Sequence, residues 1–164
     1  MKAVIQRVNE ASVSVNGIVK GKIERGLLFY LGVAHEDTEK DADWLAEKIA
    51  YLRIFDDTEG KMNLSLKDLV EEKKHETLIA CDTLDTIGVL AISQFTLLAD
   101  ARKGRRPSWN GAAPPEKAKQ LYEYFIDAIK KHGLICESGE FQAYMMVSYI
   151  NNGPVTIILD THEL

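Results

Sequence analysis

The 164-residue sequence is poor in features of disulfide-linked or membrane-spanning proteins. Its two cysteines, Cys81 and Cys136, are far apart and form no CxxC pair, so we expect two buried free thiols. No apolar run approaches the roughly 20 residues that cross a bilayer. The N-terminus alternates apolar and polar residues and lacks the continuous apolar stretch of a signal peptide. We therefore expect a cytoplasmic protein with no membrane partner.

Motifs for nucleotide cofactors and metals are missing as well. The sequence has no glycine-rich phosphate-binding loop and no HExxH zinc motif. The four histidines show no metal-ligand spacing, so we expect neither a metal nor a cofactor. Asp160 and His162 lie two positions apart, but nothing places a nucleophile beside them, so a Ser-His-Asp triad has little support.

Composition indicates an ordinary globular protein with one unusual basic segment. Hydrophobic residues make up 46% and charged residues 27%, and the length fits one domain, residues 1–164. A net charge of -5 weakly repels nucleic acid as a whole. RNA binding would therefore need a local patch, and the candidates are Arg102, Lys103, Arg105 and Arg106. Such a cluster is either solvated surface or a set of phosphate contacts.

Most of the chain is predicted to form strands. Alternation of period two and short apolar runs predict strands over residues 2–8, 11–15, 18–24, 26–33, 77–81, 87–93, 144–150 and 155–160. Asn16-Gly17 predicts a tight hairpin, because both residues tolerate positive φ. Residues 151–154 are expected to interrupt the last two strands.

Two long helices are predicted in the connections. Apolar residues at helical spacing over 42–52 predict one helix, which Asp37 or Thr38 can cap. The second is expected to begin at Pro114-Pro115 and to end at Gly133. Residues 63–74 are ambiguous, a loop with a short helix. Hairpins combined with two long helices indicate an α+β fold with a mixed, largely antiparallel sheet.

Two polar segments are candidates for chemistry. Ser93, Gln94 and Thr96 follow an apolar strand, where polar groups are either a simple strand end or a site fixed on a rigid element. The second segment, Asn151-Asn152-Gly153-Pro154, is typical of a hairpin turn. Its Gly-Pro bond can also be cis, which would hold two carbonyls in an unusual, rigid direction.

Taken together, these segments resemble the D-aminoacyl-tRNA deacylase family over nearly the whole chain. The resemblance is carried by MKAVIQRVNEASVSVNG, GLLFYLGV, LRIFDD followed by GKMNLS, SQFTLLAD, RKGRRPSW and NNGPVTIILD. SQFTL and Asn-x-Gly-Pro-x-Thr are weak motifs alone and specific in this order and context. The sequence departs from the family in a longer stretch over residues 70–88. It also has Gln142 where the family usually has glycine after the phenylalanine matched by Phe141.

The resemblance implies hydrolysis of the ester between tRNA and a D-amino acid or glycine, with L-aminoacyl-tRNA rejected. It implies a homodimer with sheets packed at a two-fold interface, where Gly153 and Pro154 of one copy enter the other's pocket and exclude an L side chain. Met145 and Asn151 belong to this chiral selection.

The family also implies a catalytic segment, Ser93, Gln94, Phe95 and Thr96, whose backbone amides stabilise the oxyanion. Thr96 is the candidate nucleophile by residue type, but no adjacent base activates it in the sequence. The preferred hypothesis is that the 2′-hydroxyl of the tRNA assists water. The alternatives are a non-catalytic nucleic-acid-binding module, which the negative charge disfavours, and a general esterase or peptidase, for which the sequence offers no recognisable nucleophile with its base.

Overall fold

The computed structural model describes residues 1–77 and 86–163, and mixed β-structure dominates it. The strands are β1 (Lys2–Val15), β2 (Ile18–Ile23), β3 (Gly26–Gly32), β4 (Phe55–Asp56), β5 (Met62–Leu64), β6 (Gly88–Ser93), β7 (Ile135–Ser138) and β8 (Met146–Asp160). The helices are α1 (Glu39–Ala50), α2 (Leu66–Thr77) and α3 (Pro115–Lys131). The described elements therefore confirm the α+β class.

The main sheet is organised around β1. It runs in the order β2-β1-β3-β6-β7, and β8 also pairs with β1. The three strands bonded to β1 are antiparallel to it, whereas β3, β6 and β7 are mutually parallel neighbours. The sheet is therefore mixed, as predicted. The Asn16-Gly17 hairpin is confirmed, because both residues have positive φ, 51° and 78°, at the turn between β1 and β2.

The larger core lies between one face of the sheet and the helices α1 and α3. Phe29 of β3 meets Phe125 of α3 edge to face, with ring centroids 5.1 Å apart. Both rings are fully buried, as are Ile5 and Leu45. Other side chains of the sheet form a second, smaller hydrophobic cluster, which includes Val13, Leu28, Leu90 and Ile92. Met145 and Val147 pack against it.

The helix boundaries follow the predicted local signals. Thr38 is the N-cap of α1 and forms a capping box with Asp41. Asp37 instead lies buried outside the helix, where its carboxylate binds the amino group of Met1 at 2.5 Å. α3 begins at Pro115, and Gly133 follows it with a φ of 76°.

Several predicted boundaries were wrong because distant pairing decides them. Residues 2–15 form one strand, and residues 146–160 form another that pairs with it across an irregular register. β7 was not predicted at all, and α2 has 12 residues where a short helix was expected. Thr77 ends α2 and does not begin a strand. The rest of the strand predicted over 77–81, and Cys81 with it, lies outside the described residues.

The second cysteine behaves as predicted. Cys136 is a buried free thiol, and burial raises its pKa to about 12. It is therefore a packed side chain with little thiolate at neutral pH. Among the described residues, no helix is both long and apolar enough to cross a membrane.

Candidate functional site

A pocket of about 630 Å³ opens where β3 and β6 end. Its walls come from those strand ends, the start of α3 and the segment between β7 and β8. Most of the lining is aromatic or aliphatic, and the polar lining side chains that do not ionise are Ser93, Gln94 and Gln142. A concave apolar site with a few convergent polar groups is the usual form of a small-ligand site.

The segment of residues 93–96, the start of the SQFTL motif, forms the polar wall of this pocket. β6 ends at Ser93, and a four-residue 3-10 helix, Phe95–Leu98, begins immediately after Gln94. The Gln94 N–H donates to the Leu31 carbonyl at 2.8 Å, which ties the turn to β3. The first N–H groups of such a helix have no acceptor within it. The amides of Phe95 and Thr96 are therefore suited to a developing negative charge.

Thr96 stands apart from the other three members of this segment. Ser93, Gln94 and Phe95 line the pocket, whereas Thr96 does not. Its backbone carbonyl accepts a bond from Ala99, and no described residue bonds to its hydroxyl. A hydroxyl without a neighbouring base is a poor nucleophile. The geometry thus gives no support for Thr96 as an activated nucleophile.

The described ionisable side chains that line the pocket are the tyrosines Tyr30, Tyr122 and Tyr144. Burial, reinforced by the neighbouring Tyr149, raises the pKa of Tyr30 to about 12. Burial also raises the pKa of Tyr122, whose hydroxyl donates to the Ala91 carbonyl at 2.8 Å. Tyr30 and Tyr122 therefore stay protonated at neutral pH, and neither can act as a general base there.

Gln142 occupies the pocket rim in a left-handed backbone conformation, with φ at 63°. The departure from glycine at this position therefore keeps a conformation that glycine would adopt more easily. Its exposed side chain lines the pocket, and no described residue bonds to its amide. Met145, from the same segment, also lines the pocket.

The second motif forms a bulge in β8 and does not form the predicted hairpin turn. Gln6 of β1 pairs with Thr156 and Val8 with Asn151, so Asn152 to Val155 stand opposite Arg7 alone. The Gly153-Pro154 bond is cis, and both residues are exposed. The bulge, residues 152–155, therefore projects from the sheet.

Arg7 is the residue that holds this bulge. Its guanidinium donates to the Asn152 side-chain oxygen at 3.0 Å and to the Asn152 carbonyl at 3.3 Å. It also donates to the Ile54 carbonyl at 2.7 Å and lies 3.2 Å from the Asp56 carboxylate. Only 8% of Arg7 is exposed. Asn151 braces the other side, since its amide donates to the carbonyls of Arg7 and Val155, each at 3.0 Å.

The two motifs do not meet within one chain. None of Asn151, Gly153 and Pro154 lines the pocket that Ser93, Gln94, Phe95 and Met145 form. A single copy therefore presents the pocket at one place and the bulge at another.

The basic loop, residues 100–108, is closed by backbone bonds between Asp100 and Ser108 at 2.9 and 3.0 Å. Arg102 bonds Asp100 through two guanidinium nitrogens at 2.9 and 2.7 Å, and this contact holds the pKa of Asp100 well below its usual range. Lys103, Arg105 and Arg106 are exposed and have no acidic partner in the described chain. One of the four predicted cations is therefore neutralised locally.

Sequence reasoning missed Arg7 and most of the pocket wall. A signal for Arg7 was present, because β1 alternates inward and outward and Arg7 falls in register with the inward Ala3 and Ile5. Charged residues are rarely buried without a partner, so an inward arginine indicates a structural anchor. The aromatic wall carries no comparable signal, because Tyr30, Tyr122 and Phe141 are far apart in sequence.

Solved structures that share this fold include the following two. One, described as the c-Myc DNA unwinding element binding protein, is 38% identical, with a TM-score of 0.81 over 98% of this chain and 99% of that one. The other, described as a probable eukaryotic D-amino acid tRNA deacylase, has a TM-score of 0.75 over 96% of this chain and 97% of that one. At 15% identity, the second shows the fold alone.

Comparison of sequences identifies the family more specifically than comparison of folds does. The family model described as D-Tyr-tRNA(Tyr) deacylase matches residues 4–160. The chain is 51% identical to the D-aminoacyl-tRNA deacylase of Thermosipho melanesiensis, covering 100% of this chain and 99% of that protein. It is 53% identical to that of Koribacter versatilis, covering 99% of both. The chain therefore belongs to the D-Tyr-tRNA(Tyr) deacylase family.

The crowding at Gly153 predicts an unequal cost for two glycine substitutions. In Gly153→Ala, the new Cβ would lie 2.8 Å from Cγ2 and from N of Val155, at a φ of +119°. We expect the strained backbone to lower the free energy of unfolding by about 1–3 kcal/mol. The crowding against Val155 should lower it further. Gly60→Ala is the control, because its φ is +74° and no described atom lies within 4 Å. Urea midpoints measure both, and an equal shift would contradict the crowding.

Proposed function

We propose that this protein hydrolyses the ester of D-aminoacyl-tRNA, and of glycyl-tRNA, while leaving L-aminoacyl-tRNA intact. The observation that carries the proposal is identity of about 50% over the full chain to proteins named D-aminoacyl-tRNA deacylase. Residues 1–164 act as one domain for this purpose. The pocket provides a place for an aminoacyl ester, with neutral polar groups on an otherwise apolar wall.

In the proposed reaction, the oxygen of a water attacks the ester carbonyl carbon. The tetrahedral intermediate carries an oxyanion, which the amides of Phe95 and Thr96 stabilise. One such donor contributes about a hundredfold to a thousandfold in rate. Collapse breaks the bond to the ribose 3′-oxygen, which takes up the proton lost by the water. The products are the free amino acid and a tRNA with its terminal hydroxyl restored. Ser93 and Gln94 orient the ester and the water.

The proton is moved by the substrate in this scheme. Within the described parts of the chain no residue bonds to the Thr96 hydroxyl, and Tyr30 and Tyr122 remain protonated at neutral pH. The tRNA 2′-hydroxyl is adjacent to the ester and can accept or relay the proton of the attacking water. The protein then supplies position and electrostatic stabilisation.

Chiral selection is assigned to Gly153 and Pro154, supported by Asn151 and by Met145 on the pocket wall. Because the bulge and the pocket are separate within one chain, the complete site needs the bulge of a second copy. Exposed apolar side chains on β8 favour such a homodimer, among them Met146 and Ile150, which lie on one face of the strand. In a two-fold dimer each bulge meets the other copy's pocket. A rigid obstacle there blocks an L side chain and admits glycine or a D-residue.

The RNA substrate is held near the pocket by the basic loop. Lys103, Arg105 and Arg106 supply phosphate contacts, and Arg102 shapes the loop through its bonds with Asp100. This local patch works against the overall charge of -5.

The direct test compares D-Tyr-tRNA and L-Tyr-tRNA as substrates of the wild-type protein. We expect rapid release of D-tyrosine and no release of L-tyrosine above the uncatalysed rate. The measurement is the loss of acid-precipitable radiolabelled amino acid. A protein that cleaves neither ester, or both equally, is not a chiral deacylase.

A second test separates the protein hydroxyl from the RNA hydroxyl. We expect Thr96→Ala to retain most of the rate on D-aminoacyl-tRNA, because Thr96 lies outside the pocket lining. A substrate ending in 2′-deoxyadenosine should react much more slowly with the wild type. Single-turnover rates measure both. A trapped acyl group on Thr96, with an inactive Thr96→Ala protein, would overturn the water mechanism.

A third test asks whether one site uses two chains. Gln94→Ala alters the pocket and Gly153→Ala alters the bulge, so each protein alone should be impaired. After mixing and subunit exchange, we expect about a quarter of the wild-type activity, because half the dimers hold one intact site. Mixing two preparations of Gln94→Ala is the control. An inactive mixture containing demonstrated mixed dimers would place the whole site in one chain.

A second candidate function is binding to DNA without hydrolysis. It is favoured by the similarity to the solved c-Myc DNA unwinding element binding protein, which is 38% identical. The same deacylation assay distinguishes the two, because a binding module leaves both esters intact.

A further inference from the structure

Two exposed aromatic side chains lie in contact beside the pocket. The ring centroids of Phe95 and Trp109 are 5.5 Å apart, and their planes cross at 73°. Phe95 is 54% exposed and Trp109 is 41% exposed. Phe95 lines the pocket, whereas Trp109 does not line it and directly follows the basic loop. The pair therefore connects the pocket rim with the end of the basic loop.

The backbone fixes Trp109 in this place from both sides. Before it, the bonds between Asp100 and Ser108 close the basic loop. After it, the Trp109 carbonyl accepts a bond from Ala112 at 3.0 Å, and Ala113 donates to the Val33 carbonyl at 2.8 Å. The backbone around Trp109 is thus tied to Val33, just after β3, and the indole itself contacts the ring of Phe95. An aromatic surface held in advance costs little entropy when a ligand stacks on it.

The surroundings select the chemistry of that ligand. A flat apolar ring at the end of the loop that carries Lys103, Arg105 and Arg106 offers stacking and positive charge in one region of the surface. Unpaired nucleotides need both, because each has an exposed base face and a phosphate. The bases of a duplex are covered by their neighbours and offer no face to an exposed indole. The combination therefore fits a single-stranded RNA end better than a helical stem.

We propose that Trp109 stacks on the base of the nucleotide that precedes the terminal adenosine of the tRNA 3′ end. The inference rests on the proposed function, which places the ester against Ser93, Gln94 and Phe95. The terminal nucleotide bears that ester and must occupy the pocket. The next nucleotide then leaves the pocket past Phe95 and reaches Trp109, and the phosphates beyond it reach the basic loop.

Fluorescence can test this contact without any hydrolysis. The chain has two tryptophans, so Trp44→Phe leaves Trp109 as the only one. This protein is titrated with an uncharged tRNA and with the same tRNA lacking its last two nucleotides. We expect saturable quenching of Trp109 by the intact tRNA and little quenching by the shortened one. Equal quenching by both, or none by the intact tRNA while filter binding shows a complex, overturns the proposal.

Kinetics provide a second readout that folding defects do not mimic. We expect Trp109→Ala to raise KM for D-aminoacyl-tRNA at least about fivefold, the loss of one stacked base, with kcat little changed. Trp109→Phe should recover most of the affinity, because it keeps an aromatic face. D-aminoacyl-adenosine lacks the preceding nucleotide, so Trp109→Ala should hydrolyse it like the wild type. Trp44→Phe is the matched control with unchanged kinetics.

The outcomes separate this inference from the proposed function. If Trp109→Ala impairs the nucleoside ester as strongly as the tRNA ester, Trp109 supports the pocket structure and the stacking role is wrong. If the wild type cleaves no ester, the proposed function fails. The quenching titration with uncharged tRNA still reports whether Trp109 meets the 3′ end in that case.

Discussion

The buried guanidinium of Arg7 is the interaction on which the arrangement of β8 depends. It bonds the bulge at Asn152 and the Ile54 carbonyl, and it pairs with the Asp56 carboxylate. A charge with 8% exposure is tolerated only when its donors are satisfied, so these groups define one another's positions. β1 and β8 pair on both sides of this point, and the bulge projects between two regular segments. The exposed Gly153-Pro154 pair is thereby held as a rigid feature.

The pocket contrasts with that anchor because it is built from neutral groups. Its polar wall is a strand end and the start of a short helix, and its described ionisable side chains are tyrosines. Burial keeps Tyr30 and Tyr122 protonated at neutral pH. Such a site suits an activated ester, which needs stabilisation of an oxyanion more than a strong protein nucleophile. The site's chemistry thus depends on backbone direction, which the hydrogen bond from the Gln94 N–H to the Leu31 carbonyl maintains.

Local sequence signals predicted the elements that local interactions determine. The Asn16-Gly17 hairpin, the cap at Thr38 and the limits of α3 each depend on a few adjacent residues, and the structure confirms them. The continuity of β8 depends on pairing with β1, whose residues lie at least 132 positions away in sequence, the separation of Ser14 from Met146. No window of sequence contains that information. β7 was missed for the same reason, since its four residues pair in parallel with β6.

In the candidate site, too, the sequence predicted what local motifs determine and missed what distant contacts determine. The two family motifs identified Ser93, Gln94, Phe95, Gly153 and Pro154 as residues of interest. Only the resemblance implied that Gly153 and Pro154 act in the pocket of another copy. No local pattern in the sequence reveals that pocket and bulge lie apart in one chain, or that Thr96 lies outside the pocket lining. Those facts follow from the register break opposite Arg7 and from the turn after Ser93.

On the proposed function, in which the basic loop contacts the RNA, the bond between Arg102 and Asp100 weakens the electrostatic hold on that RNA. With one cation neutralised, three remain for phosphates. Release of the counterions of about three phosphates gives a slope near -2 in a plot of log affinity against log salt for a single strand. That is a weak electrostatic hold. On the proposed function it is an advantage, because nearly every aminoacyl-tRNA that such an enzyme meets is correctly charged and has to dissociate unharmed.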